Sequence, residues 1–207
     1  LGLGSSAAAV VGGIVAANAL LEEPLPPERV LALATRLEGH PDNVAPALLG
    51  GCQVVVQGEG GLVTQGIPIP RGLSAVLFIP DWPLPTHEAR AVLPAAVSRE
   101  DAVFNLGRTA LLVAALATGR LEHLRTATED RLHQPPRQQL YPAMRLLFRA
   151  ALDAGALGVF LSGAGSTILA FVRQKDATSV QAAFITAAGA QGVAGATRVV
   201  RPSSAGA

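Results

Sequence analysis

Gly2-Leu3-Gly4-Ser5-Ser6-Ala7-Ala8, at the front of the 207-residue chain, runs from a glycine loop straight into a helical stretch. Ser5 or Ser6 can cap that helix, and the small residues Ala7 to Ala9, Ala16 and Ala17 allow close packing. A helix start presents free N–H groups and the positive end of the dipole. Glycines just before it let the backbone curl around phosphate oxygens. No Gly-Lys-Ser/Thr follows, so this is not a Walker pattern. Taken alone, the stretch fits an anion site and a plain capped helix equally well.

Working outward, the first helix should end near Leu21, before a turn at Pro24 and Pro26. Pro27 suits the first turn of a second helix. Val30, Leu31, Ala34 and Leu37 form its buried stripe, and Gly39 terminates it. His40 to Asn43 follow as a loop, and Val44 to Leu49 as one or two helical turns. After Gly50-Gly51 the period changes. Gln53 to Gln57 and Leu62 to Ile69 read as paired strands around the Gly58 to Gly61 turn.

Leu73 to Ile79 is an apolar strand, followed by a proline-rich loop from Pro80 to Pro85. Ser98 and Asp101 resemble a capping box for a helix running to about Ala117, with Gly119 beyond it. Glu122 to Gln139 is polar, and Tyr141 to Ala154 is a helix stopped by Gly155. Val159 to Leu161 and Thr167 to Val172 flank a glycine loop. Asp176 to Ala188 is a helix and Thr197 to Arg201 a closing strand. From Leu73 the order approaches a ferredoxin-like split βαβ layout, an α+β sandwich. A domain boundary near Gly72 gives domains of residues 1–72 and 73–207.

Composition narrows the function classes. Half the residues are hydrophobic and 15% are charged, which excludes disorder. The formal net charge is +1, so nothing is left over to neutralise a phosphate backbone, and nucleic acid is not expected as a partner. One cysteine, Cys52, excludes an internal disulfide framework and favours a reducing, cytoplasmic setting. Leu1 to Leu21 carries no charge, and Ala154 to Val172 is also apolar. Serines, Asn18 and repeated glycines interrupt these runs, so both read as segments buried in a soluble core rather than in a membrane.

Two glycine motifs and the segments between them carry a resemblance. Gly2 to Ala8 resembles the phosphate-binding motif of the GHMP kinases, the superfamily of galactokinase, homoserine kinase, mevalonate kinase and phosphomevalonate kinase. Leu161-Ser162-Gly163-Ala164-Gly165-Ser166-Thr167 resembles their C-terminal glycine motif. Glu38-Gly39-His40-Pro41-Asp42-Asn43-Val44-Ala45-Pro46 looks like the central signature of the homoserine kinase family. Thr86-His87-Glu88-Ala89-Arg90 and Asp130-Arg131-Leu132-His133-Gln134-Pro135-Pro136-Arg137 resemble two further elements of it, with Pro136 where an aromatic is usual. The resemblance implies a two-domain α+β GHMP kinase architecture. Its first domain would be ribosomal protein S5 domain 2-like and shortened at the front, and its second a ferredoxin-like sandwich. It also implies a segment before Leu1 that supplies strands and nucleotide contacts. The chain as given is therefore expected not to be a competent kinase, with an unpaired strand edge in its first domain.

The function implied is transfer of the ATP γ-phosphoryl group to the hydroxyl of L-homoserine, with ATP and Mg2+ as cofactors. A homodimer is compatible with it. Gly2, Leu3, Gly4, Ser5, Ser6, Ala7, Gly163 and Gly165 would bind nucleotide. Glu38 and Ser6 would ligate magnesium. His40, Asp42 and Asn43 would meet the substrate, and Asp42 can also accept the hydroxyl proton, although the chemistry can proceed without a dedicated base. Arg90 and Arg137 would hold the substrate carboxylate, because a guanidinium offers a planar fork. Without the resemblance, Glu38 is a solvated residue at a helix end, Asp42 or Asn43 a helix cap, and the arginines surface residues. Two other readings stand beside it: a GHMP kinase for mevalonate or a sugar, and a noncatalytic fragment.

Overall fold

The computed structural model describes residues 1–207 and divides into two compact units. One comprises Gly4–Ile69 with Pro202–Ala207, the other Leu1–Leu3 with Pro70–Arg201. We call them the helical unit and the sandwich unit.

In the helical unit, α1 (Ser5–Asn18), α2 (Pro27–Glu38) and α3 (Val44–Leu49) precede the hairpin β1 (Cys52–Gly58) and β2 (Gly61–Ile67). Ala7, Val11, Leu31, Ala34, Val44 and Ala45 form its small core. The alanines let the three helices approach closely. Pro27 occupies the first turn of α2, where its missing N–H costs nothing. Gly39 ends that helix at φ 88°, a conformation that favours glycine, and donates its N–H to Thr35 O.

Three expectations for this unit are corrected. The first helix stops at Asn18 rather than Leu21, because the Asn18 side chain is bonded in both directions to the Leu25 backbone. Most of α1 is not buried, since only the face carrying Ala7 and Val11 meets α2 and α3. Leu37 is 66% exposed: the last turn of α2 directs Glu38 toward α1, and successive residues point about 100° apart. The last six residues also return to this unit. Gly51 N donates to Ser203 O, and Ala207 N to Ala47 O. A Cβ on Gly50 would lie 2.5 Å from Ser204 O, so a side chain there would displace the tail.

The sandwich unit holds four antiparallel strands: β3 (Leu73–Pro80), β4 (Gly158–Leu161), β5 (Ile168–Arg173) and β6 (Gly195–Val200). Their spatial order is β4-β5-β3-β6. Within the unit this is second, third, first, fourth, the split βαβ arrangement foreseen from the element order. The longer helices are α5 (Arg99–Thr118), α8 (Met144–Asp153) and α9 (Ala177–Ala190), and the short ones are α4 (Thr86–Ala91), α6 (Leu124–Ala127) and α7 (Gln134–Arg137). Ile168, Ala170 and Val172 alternate inward along β5 and meet Met144, Leu147, Val180 and Phe184 of α8 and α9. Each large side chain fully buried here stabilises the fold by about 1.5–3 kcal/mol.

Ser98 caps α5 by accepting from Asp101 N, while its hydroxyl donates to Asp101 Oδ2. The stretch from Glu122 to Gln139, read as merely polar, contains α6 and α7. It buries Leu124, Ala127 and Arg137 among residues that are exposed or only partly buried. Helix α5 is 20 residues long and apolar enough to cross a membrane by length and composition. Val103 and Leu106 on it are exposed.

Candidate active site

The N-terminus of α1 is open. Its N-cap is Gly4, at φ 70°, with no side chain bonded to the first turn. The expected caps Ser5 and Ser6 lie inside the helix instead. Ala8 N donates to Gly4 O, which leaves the N–H groups of Ser5, Ser6 and Ala7 without intrahelical partners. The Ser6 hydroxyl donates to Glu38 Oε2 at 2.7 Å. Helix α2 thus delivers a carboxylate from its last residue to the first turn of α1. That residue sits at the negative end of its own helix, a cost offset by the positive end of α1 that its carboxylate meets.

The loop after Gly39 approaches the same helix start. A Cβ on Gly4 would lie 3.5 Å from Asn43 Oδ1. Asp42 Oδ1 accepts from Asn43 N at 2.7 Å. His40 Nδ1 stands 2.6 Å from the same oxygen, but not at a hydrogen-bonding angle. Neither Asp42 nor Asn43 caps α3 with its side chain. Both are exposed, so their polar atoms remain open to a ligand. Cys52 is half-buried at the start of β1, and burial pushes its thiol up.

In the sandwich unit Leu1–Leu3 lies against the second glycine motif. Ser162 Oγ donates to Gly2 O at 2.7 Å, and Thr167 N donates to Leu1 O at 3.2 Å. Gly2 has φ 73°, and a Cβ on it would lie 2.1 Å from Ser162 O. Only glycine fits that approach. Gly163 and Gly165 are also left-handed. Leu3 is exposed.

Arg137 is 6% exposed. Its Nε donates to Ala89 O at 3.0 Å and its Nη1 to Gly163 O at 3.3 Å. Burial pulls its pKa down, a nearby Asp130 opposes this, and Arg90 adds to it. The two arginines therefore stand close enough to repel. Arg90, on α4, is exposed. Tyr141 packs edge-on against Trp82, and burial pushes its phenol well above the ordinary range, so it stays protonated.

Two features lay outside the sequence reading. One is the Ser162 bond to Gly2, for which the serine beside the glycines was a usable signal. The other is the role of Asp130, which the family element contains but to which no function was attached: its carboxylate accepts four hydrogen bonds. An aspartate four residues before Gln134-Pro135-Pro136 marks that device in the sequence.

The chain is similar to known proteins along its length. Residues 1–51 match the GHMP kinases N terminal domain and residues 112–191 the GHMP kinases C terminal domain. The homoserine kinase of Microchaete diplosiphon is 49% identical over 186 residues, 90% of this chain and 61% of the relative. That of Desulfitobacterium hafniense is 44% identical over 206 residues, 100% of this chain and 69% of the relative. The crystal structure of homoserine kinase from Cytophaga hutchinsonii superposes with a TM-score of 0.92 at 32% identity, over 99% of this chain and 67% of that one. The chain thus spans about three-fifths to two-thirds of the length of these relatives. An open helix start beside a serine–glutamate pair, a second glycine loop and identity sustained along the whole chain converge on one conclusion: the chain belongs to the homoserine kinase family of the GHMP kinases.

Proposed function

We propose that the protein transfers the γ-phosphoryl group of ATP to the hydroxyl of L-homoserine, giving O-phospho-L-homoserine, a cytoplasmic step of threonine biosynthesis. In this reading residues 1–72 belong to the ATP-binding domain and residues 73–207 form the C-terminal domain. The observation that carries the proposal is the Ser6–Glu38 pair beside three unbonded N–H groups at the start of α1.

Phosphoryl transfer needs charge neutralisation and in-line positioning more than covalent help. The Ser5, Ser6 and Ala7 amides would hold phosphate oxygens, with Gly2 and Gly4 keeping the loop free of side chains. One carboxylate and one hydroxyl are hard oxygen donors, a set that suits magnesium shared with a nucleotide's phosphates. Ser6 and Glu38 would therefore hold Mg2+, which neutralises developing charge on the phosphates when bound. Asn43 and His40 would orient the acceptor, and the exposed Asp42 carboxylate can take its hydroxyl proton. Arg90 and Arg137 would receive the α-carboxylate, since neither forms an ion pair with a carboxylate of the protein.

Coupled ADP release by the full-length protein tests the proposal, with a panel of L-homoserine, homoserinol, mevalonate and galactose. The expected result is turnover of L-homoserine well above the others. Comparable turnover of homoserinol defeats carboxylate recognition, and preference for mevalonate or galactose reassigns the substrate.

A further inference from the structure

Asp130 has the most committed carboxylate in the molecule. Its Oδ1 accepts from Asn105 Nδ2 at 2.6 Å and from Leu132 N at 3.0 Å. Its Oδ2 accepts from His133 N at 2.9 Å and from Gln134 N. Asn105, on α5, also accepts from Arg131 N. Gln134 continues the chain of contacts: its Oε1 accepts from Leu161 N on β4, and its Nε2 donates to Thr128 O. The three N–H groups that meet Asp130 belong to the segment that turns into α7. That helix ends in Arg137, which is fixed by the carbonyls of Ala89 and Gly163.

The choice of partners matters. Asp130 is near enough to influence the charge of Arg137, yet the two form no ion pair within 4.0 Å. Had the carboxylate turned to the guanidinium, it would have cancelled the charge a ligand needs. Spent on backbone amides, it orders α7 and leaves Arg137 cationic. Arg137 is bonded only to neutral carbonyls, which position it without neutralising it.

We infer that Asp130, with Asn105 and Gln134, is a positioning residue for the substrate carboxylate, holding α7 so that the Arg137 guanidinium is fixed beside Ala89 and Gly163. The inference rests on the homoserine reading above. It adds a residue that touches no substrate and acts through Arg137 alone.

The test is steady-state kinetics on the full-length protein and its Asp130→Ala, Arg137→Met and double variants, with L-homoserine, homoserinol and ATP. Asp130→Ala should raise the homoserine KM about 10-fold and leave the ATP KM within about twofold, the split expected when one substrate's contact is lost. The preference for homoserine over homoserinol should fall by the same factor. The double variant should be no more than about twofold worse than Arg137→Met, because residues acting as one unit are not additive. Equal effects on homoserine and homoserinol, or full additivity, overturn the inference and assign Asp130 to folding only. If Asp130→Ala does not fold, Asn105→Ala removes one of the four bonds and should give the same split at smaller size. An unchanged ratio there also overturns it. A wild-type protein that ignores homoserine overturns the functional reading itself and the inference with it. A wild type that uses homoserine, with variants unshifted, overturns the inference alone.

Discussion

The two units carry their polar groups in opposite ways. In the helical unit Ser6, Asp42 and Asn43 are exposed, and Ser6 meets Glu38 through a single bond at the meeting of two helix ends. In the sandwich unit Asp130 and Arg137 are withdrawn, and each polar contact supports another. An exposed pair surrenders little when a ligand takes over its oxygens, because surface contacts are worth about 1 kcal/mol or less. A buried charge is expensive to leave unpartnered, so its neighbours must be fixed before any ligand arrives. The first arrangement suits groups that hold something transient. The second suits groups that must already be in place.

The contrast can be broken at several points. The largest expected effect is on folding: Leu147→Ala in the sandwich core should cost about 2–5 kcal/mol, measured by denaturant unfolding. Next comes chemistry. Glu38→Gln keeps the shape and removes the charge, and should lower turnover at least about 100-fold with the melting temperature unchanged. Near-normal activity with an unaltered magnesium requirement would remove Glu38 from the metal site.

The arginines sharpen the comparison within one unit. Arg90→Lys and Arg137→Lys should each raise the homoserine KM by roughly 10-fold, since a point charge does not replace the fork. Only Arg137→Lys should also lower the melting temperature, because only that guanidinium is buried and bonded to two carbonyls. Calorimetry on the two variants separates the cases.

Asp130 makes a pH prediction. Burial raises its pKa, but the hydrogen bonds from Gln134, Asn105, Leu132 and His133 outweigh this and hold the carboxyl below its ordinary value. A depressed carboxyl contributes stability that is fully present above the unfolded value of about 3.9 and is lost as pH falls through the folded one. Asp130→Asn should therefore be less stable than wild type at pH 7 and lose less of its stability than wild type on acidification below about pH 4. The smallest effect belongs to Leu37→Lys, expected within about 0.5 kcal/mol of wild type because that side chain is already solvated.

Much of this molecule was legible one segment at a time. Pro27 and Gly39 bracket α2 because proline fits a helix start and glycine a left-handed stop. Ser98 and Asp101 mark the start of α5 through a local hydrogen bond, and the order of strands and helices after Leu73 leaves few topologies to choose from. The glycine motifs were equally plain, since left-handed backbone at Gly2, Gly4, Gly163 and Gly165 is a local demand on the residue type.

What local pattern does not contain is the partner across space. Leu37 fits the apolar stripe of α2, but whether a stripe is buried depends on where its neighbours end. Asp130 reads as one more charge in a polar run until Asn105, 25 residues earlier, comes to meet it. Apart from the family motif, Arg137 reads as a surface arginine until Ala89 and Gly163, 48 and 26 residues away, lend it their carbonyls. Periodicity, capping and turn chemistry act over a few residues and were determined by the sequence itself. Burial and long-range hydrogen bonds are properties of two segments at once, so only the tertiary structure decided them.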